Sequence, residues 1–154
     1  MSKVPNCPCG ASNTYKLCCQ KYHSGQNPKS ALILMRSRYC AFAKGEIDYI
    51  VKTTHPENPS IQGDVAKWRR ELQDFSKNTK FNGLKILVVD EAEQSNHATV
   101  TFSVNLVQQG LQAGFTERSR FEKVNGRWLY LDGVITATPL QSELVPREAG
   151  DFSL

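Results

Sequence analysis

Four of the five cysteines lie within thirteen residues, as Cys7-Pro8-Cys9 and then, eight residues on, Cys18-Cys19. Thiolates are soft ligands, and four of them close a tetrahedral zinc shell with Zn–S distances of about 2.3 Å. A four-cysteine shell leaves no open position, so the chemistry it predicts is structural Zn²⁺ binding rather than metal catalysis. Gly10 lets the backbone turn tightly after Cys9, and Lys16 and Lys21 lie near enough to offset the charge of the thiolates. Two other uses of the cysteines compete with zinc. Disulfides need an oxidising compartment, and the start Met1-Ser2-Lys3-Val4-Pro5-Asn6-Cys7 lacks the apolar core of a secretory signal. A redox pair needs one exposed, low-pKa thiol with a resolving partner, which a tight quartet does not require. His23, four residues past Cys19, is an alternative fourth ligand. Cys40 stands apart and is expected to be a buried, inert thiol.

The elements around the cluster follow from spacing. Residues 1–26 are too few and too polar to bury a core, so metal binding must hold them; it contributes roughly 10–16 kcal/mol in peptides of this kind. Residues 27–79 read as helical. Asn27 is expected to cap the first helix, with Pro28 at its first position, and Leu32, Met35, Tyr39 and Phe42 form one stripe. Gly45 breaks the chain, Glu46 to Thr53 forms a short helix, His55 to Ser60 forms a loop, and Asp64 caps a helix carrying Val65, Trp68, Leu72 and Phe75. Residues 80–137 read as strands. Leu84 to Val89 is a continuous apolar run expected to be covered on both faces, and Val100, Phe102, Val104 and Leu106 alternate with polar residues. Two further strands, Phe115 to Val124 and Arg127 to Val134, flank the hairpin signal Asn125-Gly126. That turn pairs Phe121 with Tyr130, placing Ser119, Phe121, Lys123, Trp128, Tyr130 and Asp132 on one face and Arg118, Arg120, Glu122, Leu129 and Leu131 on the other. Helices followed by an antiparallel sheet give an α+β fold. Residues 138–154 are expected to be a fraying tail.

The cluster resembles the SEC-C motif, the zinc-binding knuckle found at the end of the preprotein translocase ATPase SecA. Cys-Pro-Cys-Gly, Tyr15 and the Cys18-Cys19 pair all agree, with Ala11-Ser12 where Ser-Gly is usual. The remainder resembles the YchJ family of small bacterial proteins, through Leu34-Met35-Arg36-Ser37-Arg38-Tyr39, Ala41-Phe42, Asp48-Tyr49 and His55-Pro56. The later matches are Glu117-Arg118-Ser119-Arg120-Phe121, Asn125-Gly126-Arg127-Trp128 and Tyr130-Leu131-Asp132-Gly133. The resemblance implies a cystatin-like, nuclear transport factor 2-like cone, with helices packed on a curved antiparallel sheet. The resemblance covers roughly residues 5–134; with the boundaries read from composition and periodicity, residues 1–26 are expected to be the knuckle, 27–137 the cone and 138–154 a tail. Some family members carry a second knuckle at their C-terminus; no cysteine follows Cys40 here.

Charge narrows the function classes. The formal net charge is +4, and no acid precedes Glu46, whereas from Phe81 onward acids outnumber bases. Four thiolates with one divalent ion carry a net −2, which lowers the total to +2 and leaves the basic character to Lys29, Arg36, Arg38 and Lys44. This weakens an RNA-binding reading and favours a protein partner. The SEC-C resemblance also implies protein partners or the ribosome. No run approaches eighteen apolar residues, so no membrane span is expected, and the setting is expected to be cytoplasmic. A homodimer through the sheet suits the fold. A cone of this type often holds a pocket, for which the candidates are Arg36, Arg38, Tyr39, His55, Trp68, Arg118, Arg120 and Asp132. Structural ion pairs and core packing are the competing uses of these residues. No phosphate loop, dinucleotide fingerprint or paired serine nucleophile is present, so whether the chain is an enzyme stays open.

Overall fold

The computed structural model describes residues 4–137; the expected tail lies outside the described residues. A 3-10 turn, Tyr15–Leu17, leads into helices α1 (Gln20–His23), α2 (Ala31–Lys44), α3 (Ile47–Lys52), α4 (Pro59–Gln62) and α5 (Val65–Lys77). Strands β1 (Thr79–Asp90), β2 (His97–Gln108), β3 (Leu111–Gln112), β4 (Phe115–Val124) and β5 (Arg127–Ala137) follow. All strand pairs are antiparallel, in the order β1-β2-β4-β5, with β3 a short return paired to β2.

α2 packs against α1, α3, α5 and strands β1, β2 and β5. It starts at Ala31 because the Ser30 hydroxyl, not Asn27, accepts the Ile33 amide at 3.1 Å. Asn27 instead donates its side-chain amide to the Gly126 carbonyl at 3.0 Å. The Glu91 carboxylate accepts the Ala31 amide at 3.1 Å and the Leu32 amide at 3.4 Å, supplying negative charge where the helix presents free N–H groups. Gly45 ends α2 in the left-handed region, at φ +74°. Leu34, Met35, Tyr39 and Phe42 are fully buried against the sheet and the other helices. Ser37 and Cys40 are buried as well, because the N-terminal segment covers another flank of the helix, and Arg38 is buried on the cone side against Thr53, Thr54 and Tyr130.

Asp64 caps α5 as its position predicts, its carboxylate accepting the Lys67 amide at 3.0 Å. Phe75 of α5 meets Phe42 and Phe81 edge-on, with ring centroids 5.8 Å apart in each case. The segment expected as a loop ends in the short α4, where Asn58 caps the Ser60 amide and Pro59 opens the helix.

On the sheet, Val100, Phe102, Val104, Leu106, Phe115, Phe121, Trp128 and Tyr130 are buried in the core. The Phe121–Tyr130 face is therefore the concave one. The Asn125-Gly126 turn has φ of +52° and +79°, and Phe121 does pair with Tyr130. Two expectations fail. The Leu84–Val89 run is not covered on both faces: β1 is an edge strand, a register shift interrupts it between Ile86 and Val88, and Leu87, Val88 and Val89 are exposed. Asp132 does not share the Tyr130 face: a bulge between Arg120 and Phe121 skips Leu131 and brings Asp132 opposite Arg120.

Candidate metal centre

Local hydrogen bonding forms the knuckle. The Cys7 amide donates to the Asn13 carbonyl at 2.7 Å, and the Gly10 amide returns to the Cys7 carbonyl at 3.1 Å. Gly10 sits at φ +92°, which a residue with a side chain adopts only with strain. The 3-10 turn then brings Cys18 and Cys19 back, with Cys19 opening α1.

The four sulfurs of Cys7, Cys9, Cys18 and Cys19 all lie within 4.8 Å of one another. Cys9 Sγ is 3.5 Å from Cys18 Sγ, and Cys18 Sγ is 3.9 Å from Cys19 Sγ. A tetrahedron of thiolates around zinc has edges of about 3.8 Å, so the donor set fits. Cys7, Cys9 and Cys19 are buried, and Cys18 is half-buried. Burial pushes the Cys7 and Cys18 thiols above their ordinary range; contact with Cys19 pushes Cys9 up, and contact with Cys40 pushes Cys19 up. Crowded together, these thiols resist ionising on their own, and a divalent cation supplies the counter-charge such a donor set requires.

Cys40 departs from its expected isolation. It is fully buried, but among sulfurs: its Sγ lies 3.6 Å from that of Cys7. Spacing along the chain could not reveal this, because 33 residues separate the two.

His23 is not placed as a ligand. Its Nδ1 accepts from the Tyr15 hydroxyl and its Nε2 donates to the Ser37 carbonyl, each at 2.8 Å. Burial lowers its pKa, favouring the neutral ring. The knuckle is thereby fastened to α2. Arg36 adds a second tie, Nη1 to the Cys9 carbonyl at 2.8 Å, and Lys44 places its ammonium 4.2 Å from the centre of the Tyr15 ring.

The structure does not gather the eight pocket candidates into one site. Arg36 belongs to the knuckle seam. Tyr39 accepts the Gly83 amide at 3.1 Å, and Trp68 is half-buried against the core. His55 is buried, donating from Nε2 to Glu122 Oε1 at 2.9 Å while Nδ1 accepts the Glu57 amide at 3.0 Å. Arg118 and Arg120 are exposed on the outer face of the sheet, the opposite parity from inward Ser119 and Phe121. Arg120 forms a bidentate pair with Asp132, at 2.6 and 2.5 Å.

Of the four arginine candidates, Arg38 is the one that enters the cone. Its Nη1 donates to the Ile50 carbonyl and to the hydroxyls of Thr53 and Thr54, at 3.0, 2.8 and 3.1 Å. Its guanidinium lies 4.5 Å from the centre of the Tyr130 ring. Burial lowers its pKa to about 10, and Glu117 is among the groups that oppose the shift. Glu117, also fully buried, accepts from the Ser119 hydroxyl and from the Tyr130 hydroxyl, the latter at 3.2 Å. Glu117, a carboxylate, takes an interior position of β4. It shares the inward parity of Phe115, Ser119 and Phe121 along the strand.

Residues 30–133 match the family described as YchJ, middle NTF2-like domain. The chain belongs to this family. Curated relatives of the YchJ-type chain include UPF0225 proteins of Streptomyces avermitilis, 38% identical over 130 residues and covering 83% of each chain. Another, from Serratia proteamaculans, is 35% identical over 130 residues, covering 82% of this chain and 81% of its own. Among solved structures, a SEC-C motif containing protein from Rhodopseudomonas palustris superposes with a TM-score of 0.72 at 32% identity, covering 88% of this chain and all of its own. A second, from Psychrobacter arcticus, gives a TM-score of 0.69 at 28% identity, covering 90% and 87%. The YchJ-type cone is thus an NTF2-like α+β domain preceded by a cysteine cluster consistent with a small zinc knuckle. None of its described helices is long and apolar enough to cross a membrane.

Proposed function

We propose that the chain holds one structural zinc ion through Cys7, Cys9, Cys18 and Cys19 and acts as a non-enzymatic adaptor whose knuckle docks a protein surface. The observation that carries this reading is Leu17. It is 68% exposed at the end of the 3-10 turn and precedes Cys18 directly, with exposed Lys16 and Lys21 on either side. An apolar side chain held out on a metal-pinned turn among bases suits a partner with an apolar notch and an acidic rim. The donor set favours zinc, because four thiolates at tetrahedral spacing select a soft, four-coordinate ion. When bound, the metal would supply rigidity, fixing the turn that displays Leu17. Five free thiols also suit a reducing compartment such as the cytoplasm.

A ligand-binding cone has less support. Arg38, Glu117 and Tyr130 engage other interior groups, and Arg118, Arg120 and Asp132 lie outside the cone. RNA binding is weakened because the thiolate–zinc centre carries negative charge into the basic end.

Two measurements test the proposal. Elemental analysis of untagged protein is expected to find one zinc per chain; protein that carries no stoichiometric metal and takes up none when zinc is added removes the zinc reading. Affinity capture with the full chain, compared with a variant carrying Lys16→Glu, Leu17→Asp and Lys21→Glu, is expected to lose the specific partners. Identical partner sets with both proteins reject knuckle docking. Surface substitutions are preferable to deleting the knuckle, because deletion would also uncover Cys40 and the flank of α2.

A further inference from the structure

We propose that Cys40 is a reserve metal ligand, a fifth sulfur supplied by the cone that takes the fourth position when Cys18 is lost. The inference rests on the metal reading above and extends it to a residue outside the knuckle. Three observations carry it. First, Cys40 Sγ is 3.6 Å from Cys7 Sγ, inside the 3.5–3.9 Å spread of close contacts within the quartet. That is the spacing of neighbouring corners in a thiolate tetrahedron. Second, Cys40 also contacts Cys19 and packs in one buried cluster with Cys7, Cys9 and Cys19. It therefore adjoins ligands from both halves of the motif. Third, burial is unequal: Cys18 is the one member of the quartet that is not buried, whereas Cys40 has no exposed surface. The ligand that solvent-borne electrophiles and oxidants reach most readily is Cys18, and the sulfur best shielded from them is Cys40.

A packing role alone does not account for this placement. A buried cysteine used as a small apolar filler would contact carbon, and alanine or valine would serve as well. Here the side chain meets sulfur, and α2 holds it there. Its helix is anchored by Ser30 and Glu91 at one end and Gly45 at the other, and Arg36, four residues before it, grips the Cys9 carbonyl. On entering the shell, Cys40 releases its thiol proton to solvent, and no electrons are transferred. The metal would then join knuckle and cone directly.

Cobalt(II) loading of the full-length protein tests this, because the sulfur-to-cobalt charge-transfer intensity grows with the number of bound thiolates and the visible bands report tetrahedral geometry. Four proteins are compared: the native chain, Cys18→Ala, Cys40→Ala and the double variant. Cys40→Ala is expected to keep the native spectrum. Cys18→Ala is expected to keep one tetrahedral cobalt with four-sulfur intensity, at an affinity reduced about 10–100-fold. The double variant should fall to three-sulfur intensity and bind at least tenfold more weakly than Cys18→Ala. Equal spectra and affinities for Cys18→Ala and the double variant overturn the proposal, as does loss of metal from Cys40→Ala alone. Cys40→Ser, which keeps the volume of the side chain but offers a hard oxygen, repeats the comparison if the alanine variant does not fold. Failure of the native chain to bind cobalt would instead reject the metal reading itself, so the two failures are distinguishable.

Discussion

Arg36 of α2 donates from Nη1 to the backbone carbonyl of Cys9 at 2.8 Å, so a helix of the cone grips the turn between two candidate metal ligands. A Cβ on Gly10 would stand 3.7 Å from the same Nη1, so the guanidinium lies directly against the turn. Arg36→Ala is expected to lower stability by about 1.5–3 kcal/mol, the range for a hydrogen bond to a charged group. It should also speed chelator-driven zinc release roughly tenfold, since groups that orient ligands commonly matter at that level. Denaturant melts and a chromophoric chelator measure the two effects. Unchanged zinc release in a destabilised variant would show that Arg36 serves the cone alone.

His23 gives the seam a pH dependence of definite sign. Burial lowers its folded-state pKa below the ordinary value of 6.5, so the unfolded chain binds a proton more readily than the folded one. Stability is therefore full above about pH 6.5 and falls as pH drops from there toward the lowered folded value. The steepest slope one group can give is about 1.4 kcal/mol per pH unit. Metal ligands also lose affinity in acid, so the diagnostic quantity is the difference between the native chain and His23→Gln. That difference should shrink between pH 7 and pH 5, because glutamine does not titrate. A constant difference across this range would mean that protonation of His23 is not linked to folding.

The helix N-terminus of α2 offers a third measurement. Glu91 reaches it from sixty residues away, accepting the Ala31 amide at 3.1 Å. Glu91→Gln keeps the size of the side chain and removes the charge that favours a helix start. It is expected to cost about 0.5–1 kcal/mol in low salt, with a smaller loss in high salt. Paired urea melts at the two ionic strengths check it, and a loss independent of salt would assign the contact to hydrogen bonding rather than to charge.

Local patterns were readable in the sequence wherever one element sufficed to define them. The cysteine spacing, the Asp64 cap, the Asn125-Gly126 hairpin and the inward alternation of Val100 to Leu106 all depend on neighbours a few residues away. Features that depend on two distant segments were not readable. The Cys7–Cys40 contact spans 33 residues, and Glu91 reaches α2 across sixty. The covered run expected at Leu84–Val89 failed for the same reason, since an apolar strand looks alike in sequence whether it lies at the centre of a sheet or at its edge. A single bulge misplaced Asp132, because a skipped residue reverses face parity beyond it.

Gly133 and Glu117 provide the sharpest packing prediction. A Cβ placed on Gly133 would stand 2.2 Å from Glu117 Oε2 and 2.8 Å from the Tyr130 hydroxyl oxygen, both far inside contact distance. A carboxylate at the end of an exposed side chain would simply move. This one has no exposed surface and is held by the hydroxyls of Ser119 and Tyr130, so displacing it breaks hydrogen bonds that water does not replace. Gly133→Ala is expected to cost about 1–3 kcal/mol through overpacking. Arg38→Ala, which leaves the Thr53 and Thr54 hydroxyls without their donor and removes the charge facing Glu117, is expected to cost about 3–5 kcal/mol. Combining the two should cost less than the sum of the single losses, because both disturb the same interior network. A double-mutant cycle by denaturant melts reads the coupling directly, and additive losses would mean that Arg38 and Glu117 are energetically separate despite sharing the cone.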